Sequence, residues 1–358
     1  MILLIRFSKV VAFLLFLFIL AQYYSCNNSG ITAPDGSDTT SHNFSWRLDT
    51  LGDGNASVLN DVAIINDTLA YAVGQIYLKD STGQYDAKRY NAAVWHGKLW
   101  TAIRIPYNYQ GQVYYNPIQS IFAFSANDIW FCGNGVVRWN GTQYVEMPLP
   151  SSVWASDQIN KIWGTASNNV YIVGTNGSIA WYNGSGWQKL SSGTTVDIQD
   201  IWGASFDVRG IHLQTILAVA SLQNYGRALD LLQINGTSVT KLDTAGLHVN
   251  ESGVWFNEQR VYVVGNGVFS KSSLAEPTWN ADKTQPLIYK RSIRGNGWND
   301  VFIVGDFGLV SHFNGSGWKT YGELTMPTGL LLRVAVRGNL IIAVGFVDNK
   351  AVAILGRR

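Results

Sequence analysis

The sequence predicts an all-β protein built as a ring of seven four-stranded blades. Residues 162–174 and 293–305 share an Ile-x-Gly start, an Asn-Asn-Val or Asn-Asp-Val middle and a Val-Gly end. Such units recur at steps of 40 to 59 residues, on average about 45, which is typical of a four-stranded β-propeller blade. The composition agrees, since the chain has 36 Gly, 14 Trp and only 14% charged residues, whereas an average domain has about 25%.

A small residue that ends a Val-Gly-like strand marks each blade. In the third unit the predicted strands are residues 159–163, 170–174, 178–182 and 187–190, which are rich in β-branched and aromatic residues. The seven marker positions are Gly74, Gly133, Gly174, Ala220, Gly265, Gly305 and Gly345.

An Asn-Gly turn is expected between the third and fourth strands of several blades. A type I′ turn needs positive φ at both central residues, which Asn and Gly tolerate best. The same dipeptide at one phase of a repeat therefore predicts a two-residue hairpin there. It occurs at Asn140-Gly141, Asn183-Gly184, Asn235-Gly236 and Asn314-Gly315, with His96-Gly97 in the first unit.

The two ends of the chain are predicted to complete one blade together. The seventh unit stops at Arg358, one strand short, while Phe44–Leu48 resembles a fourth strand with no unit before it. Pairing the two closes the ring and removes exposed sheet edges. Seven blades follow from this interpretation, and six or eight remain the alternatives if the first insertion hides strands.

The N-terminus has the pattern of a targeting segment. Arg6 and Lys9 precede an apolar stretch that is too short for a membrane span, and Cys26 follows it directly. We expect residues 1–25 to be a signal peptide, residues 26–42 a flexible tether and residues 43–358 a single propeller domain.

The blade phrase and the N-terminus together resemble secreted bacterial β-propeller lipoproteins. The shared pattern is Ile-x-Gly, Asn-Asp-Val and Val-Gly, followed by an Asn-Gly turn and Trp, with a lipobox-like Ser25-Cys26. The resemblance implies lipidation of Cys26 and an extracytoplasmic place in a bacterial cell envelope, at the outer membrane or in the periplasm. Plain secretion is the alternative. For most such proteins it implies no known activity.

No catalytic or metal-binding constellation is visible in the sequence. The net charge is +2 without basic runs, which argues against nucleic-acid binding. The five His are not spaced as metal ligands, and no Ser-His-Asp arrangement is suggested. Cys132 is expected to be a buried free thiol. No cofactor is predicted, and a non-enzymatic monomer is expected.

Asn/Asp pairs recur and are expected to form the turns between first and second strands, because their side chains bond nearby backbone. The pairs are Asn60-Asp61, Asn127-Asp128, Asn168-Asn169 and Asn299-Asp300.

The candidate binding residues lie where insertions interrupt the repeat. Insertions at residues 75–90, 106–117 and 221–227 are expected on one common face, and Tyr offers a flat surface with a hydroxyl for a glycan or protein partner. Arg294 stands where other first strands have an aromatic residue, which makes it a further candidate. The candidate tyrosines are Tyr107, Tyr109, Tyr114, Tyr115 and Tyr225.

A carbohydrate-active enzyme with carboxylates from several blades is the alternative function. The candidates on the loop side are Asp80, Asp86 and Asp197. Such an enzyme needs two carboxylates about 5 Å or about 6.5–9.5 Å apart in one pocket.

Overall fold

Seven four-stranded antiparallel sheets make up the part of the chain that the computed structural model describes, residues 39–155, 157–208, 211–222 and 228–358. These residues form one compact unit from Thr40 to Arg358. The predicted seven-bladed β-propeller is confirmed.

Each of the first four blades runs from the channel outwards in chain order. Blade 1 consists of Val58–Asn66, Leu69–Ile76, Tyr90–Trp95 and Trp100–Ile103. Blade 2 consists of Ser120–Ser125, Asp128–Cys132, Val136–Trp139 and Tyr144–Glu146. Blade 3 consists of Ile159–Ala166, Asn169–Gly174, Ile179–Tyr182 and Trp187–Leu190. Blade 4 consists of Ile198–Val208, Ile211–Ser221, Leu229–Asn235 and Ser238–Leu242.

The remaining blades follow the same plan, except that the last borrows its outer strand. Blade 5 consists of Gly253–Phe256, Val261–Val264, Val268–Lys271 and Asn280–Ala281. Blade 6 consists of Lys290–Gly297, Asp300–Gly305, Val310–Phe313 and Trp318–Thr320. Blade 7 consists of Leu330–Arg337, Leu340–Val347, Lys350–Arg357 and the N-terminal strand Ser45–Thr50. An additional hairpin, Tyr107–Tyr109 with Gln112–Tyr114, lies between blades 1 and 2.

The N-terminal strand closes the ring as predicted. It pairs antiparallel with Lys350–Arg357, and Trp46 lies opposite Gly356. A side chain at Gly356 would meet the Trp46 ring at 2.3 Å, so the missing Cβ is what admits the indole. The first strands of neighbouring blades contact each other in sequence, and the first strand of blade 7 contacts that of blade 1.

The hydrophobic core lies between neighbouring blades. Leu59, Trp95, Leu340 and Ile342 belong to one buried cluster, which joins blade 1 to blade 7. Cys132 is buried and free, as expected. Within the described residues, no helix has the length and hydropathy needed to cross a membrane.

The Asn-Gly turns differ from the prediction. Gly141, Gly184 and Gly315 have positive φ, but the Asn before each of them does not, so type I′ geometry was a wrong prediction. The Asn side chain caps a longer turn instead: Asn183 Oδ1 accepts hydrogen bonds from the backbone N–H of Ser185 and Gly186 at 3.0 and 3.1 Å. Competition from this local side-chain bond decides the conformation.

The pair Asn60-Asp61 was also placed wrongly. Both residues lie inside the first strand of blade 1, where Asn60 is the extra residue of a β-bulge and its Nδ2 donates to Ile118 O of blade 2 at 2.9 Å. Asp61, which follows the bulge, is buried. In the other three pairs the first residue, Asn127, Asn168 or Asn299, lies between the first and second strands, and the second residue begins the second strand.

Candidate functional site

Two faces of the ring follow from the strand order. Because the strands of each blade are antiparallel, the connections between second and third strands share one face with those between successive blades. We call this the loop face; it includes residues 77–89, 104–119, 282–289 and 306–309, together with residues 222 and 228. The opposite turn face carries the other turns, among them residues 96–99.

The Tyr-rich insertion on the loop face is a short β-hairpin. Tyr107 pairs with Tyr114, and the turn at Gln110-Gly111 has φ values of 51° and 77°. Positive φ at both central positions is the two-residue geometry whose twist suits a hairpin. Val113 and Tyr114 are 50% and 44% exposed.

Asn91 fixes the base of this hairpin. Its buried Nδ2 donates to Ile105 O at 2.9 Å and to Asn116 O at 3.0 Å, while Ile105 N–H donates to Asn91 Oδ1 at 2.8 Å. One amide thus holds both ends of the insertion. The sequence analysis did not identify Asn91, although an Asn inside an apolar strand was the available signal.

The candidate tyrosines have different positions. Tyr107 packs under the hairpin against Gly135, where an added Cβ would lie 2.4 Å from its ring. Tyr115 is half-buried, with Lys88 Nζ at 5.8 Å from its ring centroid. Tyr109 lies in the hairpin strand. Tyr225 and Cys26 lie outside the described residues.

Exposed apolar side chains concentrate on the loop face. Among the described residues, eight large hydrophobic side chains are exposed, and six of them belong to loop-face connections. Leu48 and Leu99 are the other two, and Leu99 lies in a turn on the opposite face. The six are Tyr85, Val113, Tyr114, Leu222, Leu287 and Phe307.

The three candidate carboxylates are hydrogen-bonded within the structure of their loops. Asp80 Oδ1 accepts from the Thr82 hydroxyl at 2.6 Å. Asp86 Oδ2 accepts from Arg104 Nη2 at 2.6 Å. Asp197 Oδ1 accepts from Asn176 N–H at 2.9 Å. Hydrogen bonds lower the pKa of Asp80 and Asp86, which keeps both ionised and unsuited to act as a general acid at neutral pH.

Charged side chains line the central channel at one position of the repeat. We call this position the charged tier. In each blade it is the first-strand residue that pairs with the second-strand residue just before the marker Gly or Ala of that blade. Its seven members are Asp61, Ser120, Lys161, Asp200, Gly253, Ser292 and Arg333.

The acidic members of the charged tier are ion-paired across the channel. Lys161 Nζ lies 2.5 Å from Asp61 Oδ2, which also accepts from the Ser120 hydroxyl at 2.7 Å. Burial alone would raise the pKa of Asp61, but the charges of Lys161 and Arg333 and these hydrogen bonds lower it. Burial lowers the pKa of Lys161, and the Asp61 carboxylate opposes that effect.

Arg294 lies in the channel and binds Asp200 through two hydrogen bonds. Its Nη1 and Nη2 lie 2.9 and 2.8 Å from the two Asp200 oxygens, a bidentate geometry. Burial would raise the pKa of Asp200, but Arg294 lowers it and the carboxylate in turn raises the pKa of Arg294. Trp202 lies beside the guanidinium, 4.9 Å from ring centroid to Cζ.

Among the residues with described side chains, no three His, Cys, Asp or Glu side chains come together as metal ligands would. The described residues present two features for recognition: the apolar loop face and the ion-paired channel.

The sequence analysis missed the channel carboxylates because it assigned Asp61 to a turn. The signal was a charge at a constant phase of otherwise apolar strands, as at Lys161 and Asp200.

No family model matches the sequence, and no curated protein matches it. Solved structures match over most of their length: YCF48 bound to a D1 peptide has a TM-score of 0.63 and 13% identity, covering 89% of this chain and 99% of that one. YCF48 from Cyanidioschyzon merolae has a TM-score of 0.59 and 14% identity, with coverage of 87% and 98%. The WD40 propeller domain of Doa1 has a TM-score of 0.59 and 12% identity, with coverage of 88% and 98%. These likenesses concern the fold.

Proposed function

We propose that this chain is a non-catalytic binding propeller that holds a protein partner on its loop face. The observation that carries the proposal is the concentration of exposed apolar side chains there, six of the eight among the described residues. Exposed apolar patches on a soluble surface commonly mark interaction sites.

A protein partner suits this surface better than a glycan does. Tyr85 and Tyr114 would serve either ligand, but Leu222, Leu287 and Phe307 have no polar group with which to bond a sugar hydroxyl. The two-residue hairpin turn and the hydrogen bonds of Asn91 at the hairpin base hold Val113 and Tyr114 in place before binding, which lowers the entropic cost of recognition. The YCF48 propeller, which this chain resembles in fold only, has been solved with a bound D1 peptide, so a propeller of this fold can hold a peptide.

We further propose that residues 1–25 are removed and that lipid on Cys26 anchors the propeller in a bacterial envelope, outside the cytoplasm. The support is the short apolar stretch after Arg6 and Lys9, with Ser25-Cys26 behind it. Replacing Cys26 by Ser should move the protein from the membrane fraction to the soluble fraction. A variant from which residues 1–25 have been removed and which still stays in the membrane fraction would refute the anchor.

Site-specific photo-crosslinking tests the loop face. A benzophenone side chain is placed at residue 114, 287 or 307 in the full chain, and the matched control carries it at Leu99, which is 76% exposed on the turn face. One protein partner should crosslink at the loop-face positions and not at residue 99. Tyr114→Ser should weaken capture by roughly tenfold, the effect of losing one well-placed aromatic contact.

Equal crosslinking at residue 99, or capture that Tyr114→Ser leaves unchanged, would contradict a loop-face site. Binding of wild type to a glycan array, with loss in the same variant, would assign the surface to a glycan instead.

A further inference from the structure

The side chains that line the channel differ in size from blade to blade around the ring. Two residues after the charged tier, each first strand presents an aromatic tier, since residues i and i+2 of a strand share a face. Blades 2 to 5 have large rings there, and blades 6, 7 and 1 have none. In order from blade 1, the tier is Ala63, Phe122, Trp163, Trp202, Trp255, Arg294 and Ala335.

This asymmetry leaves a cavity of about 150 Å³ in the channel. Phe122, Trp163 and Trp202 line one side, and Ala63 and Ala335 lie where two further rings would fit. Arg294, which also lines the cavity, extends to Asp200 instead of filling the space. Volumes of this size in protein interiors hold about one benzene molecule.

The charged tier bounds the cavity on its loop-face side. Lys161 of the charged tier lines it, and the tier lies nearer the loop face because every first strand begins at that face. Arg333 reaches across the channel from blade 7, and its Nη2 donates to Gln199 O of blade 4 at 3.2 Å. The charged tier therefore separates the pocket from the loop face.

The charges around the pocket do not cancel. Lys161, Arg294 and Arg333 supply three cations, while Asp61 and Asp200 supply two carboxylates, each in an ion pair. The Arg333 guanidinium donates to backbone carbonyls of Arg291, Leu332 and Gln199, and no carboxylate of the described residues lies within ion-pair distance of it. In a partly dehydrated channel this excess of one positive charge attracts an anion.

We propose that this pocket binds a small organic anion with a flat body of single-ring size, of the aromatic monocarboxylate class. The ring would lie against Phe122, Trp163 and Trp202, and the carboxylate would face the cationic side, which Lys161 and Arg294 line. Arg333 does not line the cavity but adds its charge from the charged tier behind that side. The pocket is a different surface from the loop face, so either site can exist without the other.

The test is titration of the full chain with benzoate and with benzamide, its neutral counterpart, followed by calorimetry and tryptophan fluorescence. Benzoate should bind saturably and change the tryptophan emission. Benzamide should bind roughly tenfold more weakly, as expected for the loss of one modest charge interaction. No saturable benzoate binding, or equal affinity for benzamide, would overturn the proposal.

Two variants locate the site. Ala335→Phe places in blade 7 the ring that blade 2 has at this position and should abolish benzoate binding. Its control, Ala87→Phe in an exposed loop of blade 1, should bind like wild type. Arg333→Met should lower benzoate affinity roughly tenfold and leave benzamide unchanged. Benzoate binding that survives Ala335→Phe in a folded protein would exclude the pocket, whatever the fate of the Arg333 variant.

Discussion

Two regions of this propeller bury ionisable side chains, and the two regions differ in how these side chains are paired. In the channel, Asp61 and Asp200 each have a cation at hydrogen-bond distance. Near the start of the first strands of blades 5 and 6, Glu251 and Lys290 occupy a position that is apolar in other blades, such as Leu59 and Leu331.

The second pair is not joined. Lys290 Nζ donates to Pro286 O at 2.6 Å, and among the described residues neither carboxyl oxygen of the fully buried Glu251 has a hydrogen-bond partner. Burial raises the pKa of Glu251 to about 9, although Lys290 acts in the opposite direction. A buried carboxyl with a bonded cation stays ionised, whereas one without such a bond is protonated.

Breaking the channel pairing should give the largest effect on stability. Asp200→Ser leaves the buried Arg294 guanidinium without a carboxylate, and a buried charge that loses its partner costs about 3–5 kcal/mol. Urea denaturation at pH 7 measures the loss. The double variant Asp200→Ser with Arg294→Trp restores Ser and Trp, residues that other blades have at these positions, and should recover most of the stability. A single variant within about 1 kcal/mol of wild type would show that the pair contributes little.

Removing the titratable carboxyl from the unpaired region should stabilise the protein. Because the folded pKa of Glu251 is about 9 and an unfolded Glu has a pKa of about 4.3, the folded state binds the extra proton between these values. Stability from this group is therefore complete below pH 4 and declines as the pH rises towards 9. Glu251→Gln should raise the free energy of unfolding by roughly 2–4 kcal/mol at pH 7 and leave it unchanged at pH 4.

The control for this variant is Glu258→Gln, because Glu258 is an exposed residue of the next turn. The control should change stability little at either pH. If Glu251→Gln instead destabilises the protein at pH 7, the carboxylate is ionised and bound by a group outside the described contacts.

The sequence predicted the ring but not the pairing of its charges. Closure of the ring could be predicted because residues 44–48 repeat the pattern of the strand that blade 7 lacks. Such a pattern is contained in a few consecutive residues. The ion pairs join residues that are 100 and 94 positions apart, and no spacing in a repeat specifies which blades face each other across a channel.

Local ambiguity explains the two errors. The dipeptide Asn-Asp is compatible with both a turn and a β-bulge, so Asp61 was assigned to the wrong element. Asn-Gly reads alike in a type I′ turn and in a longer turn capped by the Asn side chain, as at Asn183. The hairpin at Gln110-Gly111, which does have positive φ at both positions, has no Asn-Gly signal.

A third charged region extends the comparison to the partly buried edge of the ring. Asp300 Oδ1 lies 2.9 Å from Nε2 of the buried His312, and Arg358 Nη2 lies 2.9 Å from Asp300 Oδ2. On the other side of the imidazole, His42 Nδ1 lies 2.9 Å from His312 Nδ1. That bond needs one donor and one acceptor, so it forms only while one of the two nitrogens lacks a proton.

Acidification should loosen this contact by a small amount. Burial, and then the charges of His312 and Lys319, lower the pKa of His42 below its usual value of 6.5. The unfolded chain therefore binds more protons as the pH falls through about 6.5, and this contribution to stability is lost towards lower pH. Between pH 7.5 and 5.5 wild type should lose slightly more stability than His42→Asn, in which residue 42 does not titrate, because solvent screens a partly exposed group. Thermal unfolding at both pH values measures the difference. Identical pH dependence of stability in the two proteins would show that folding does not change the pKa of His42.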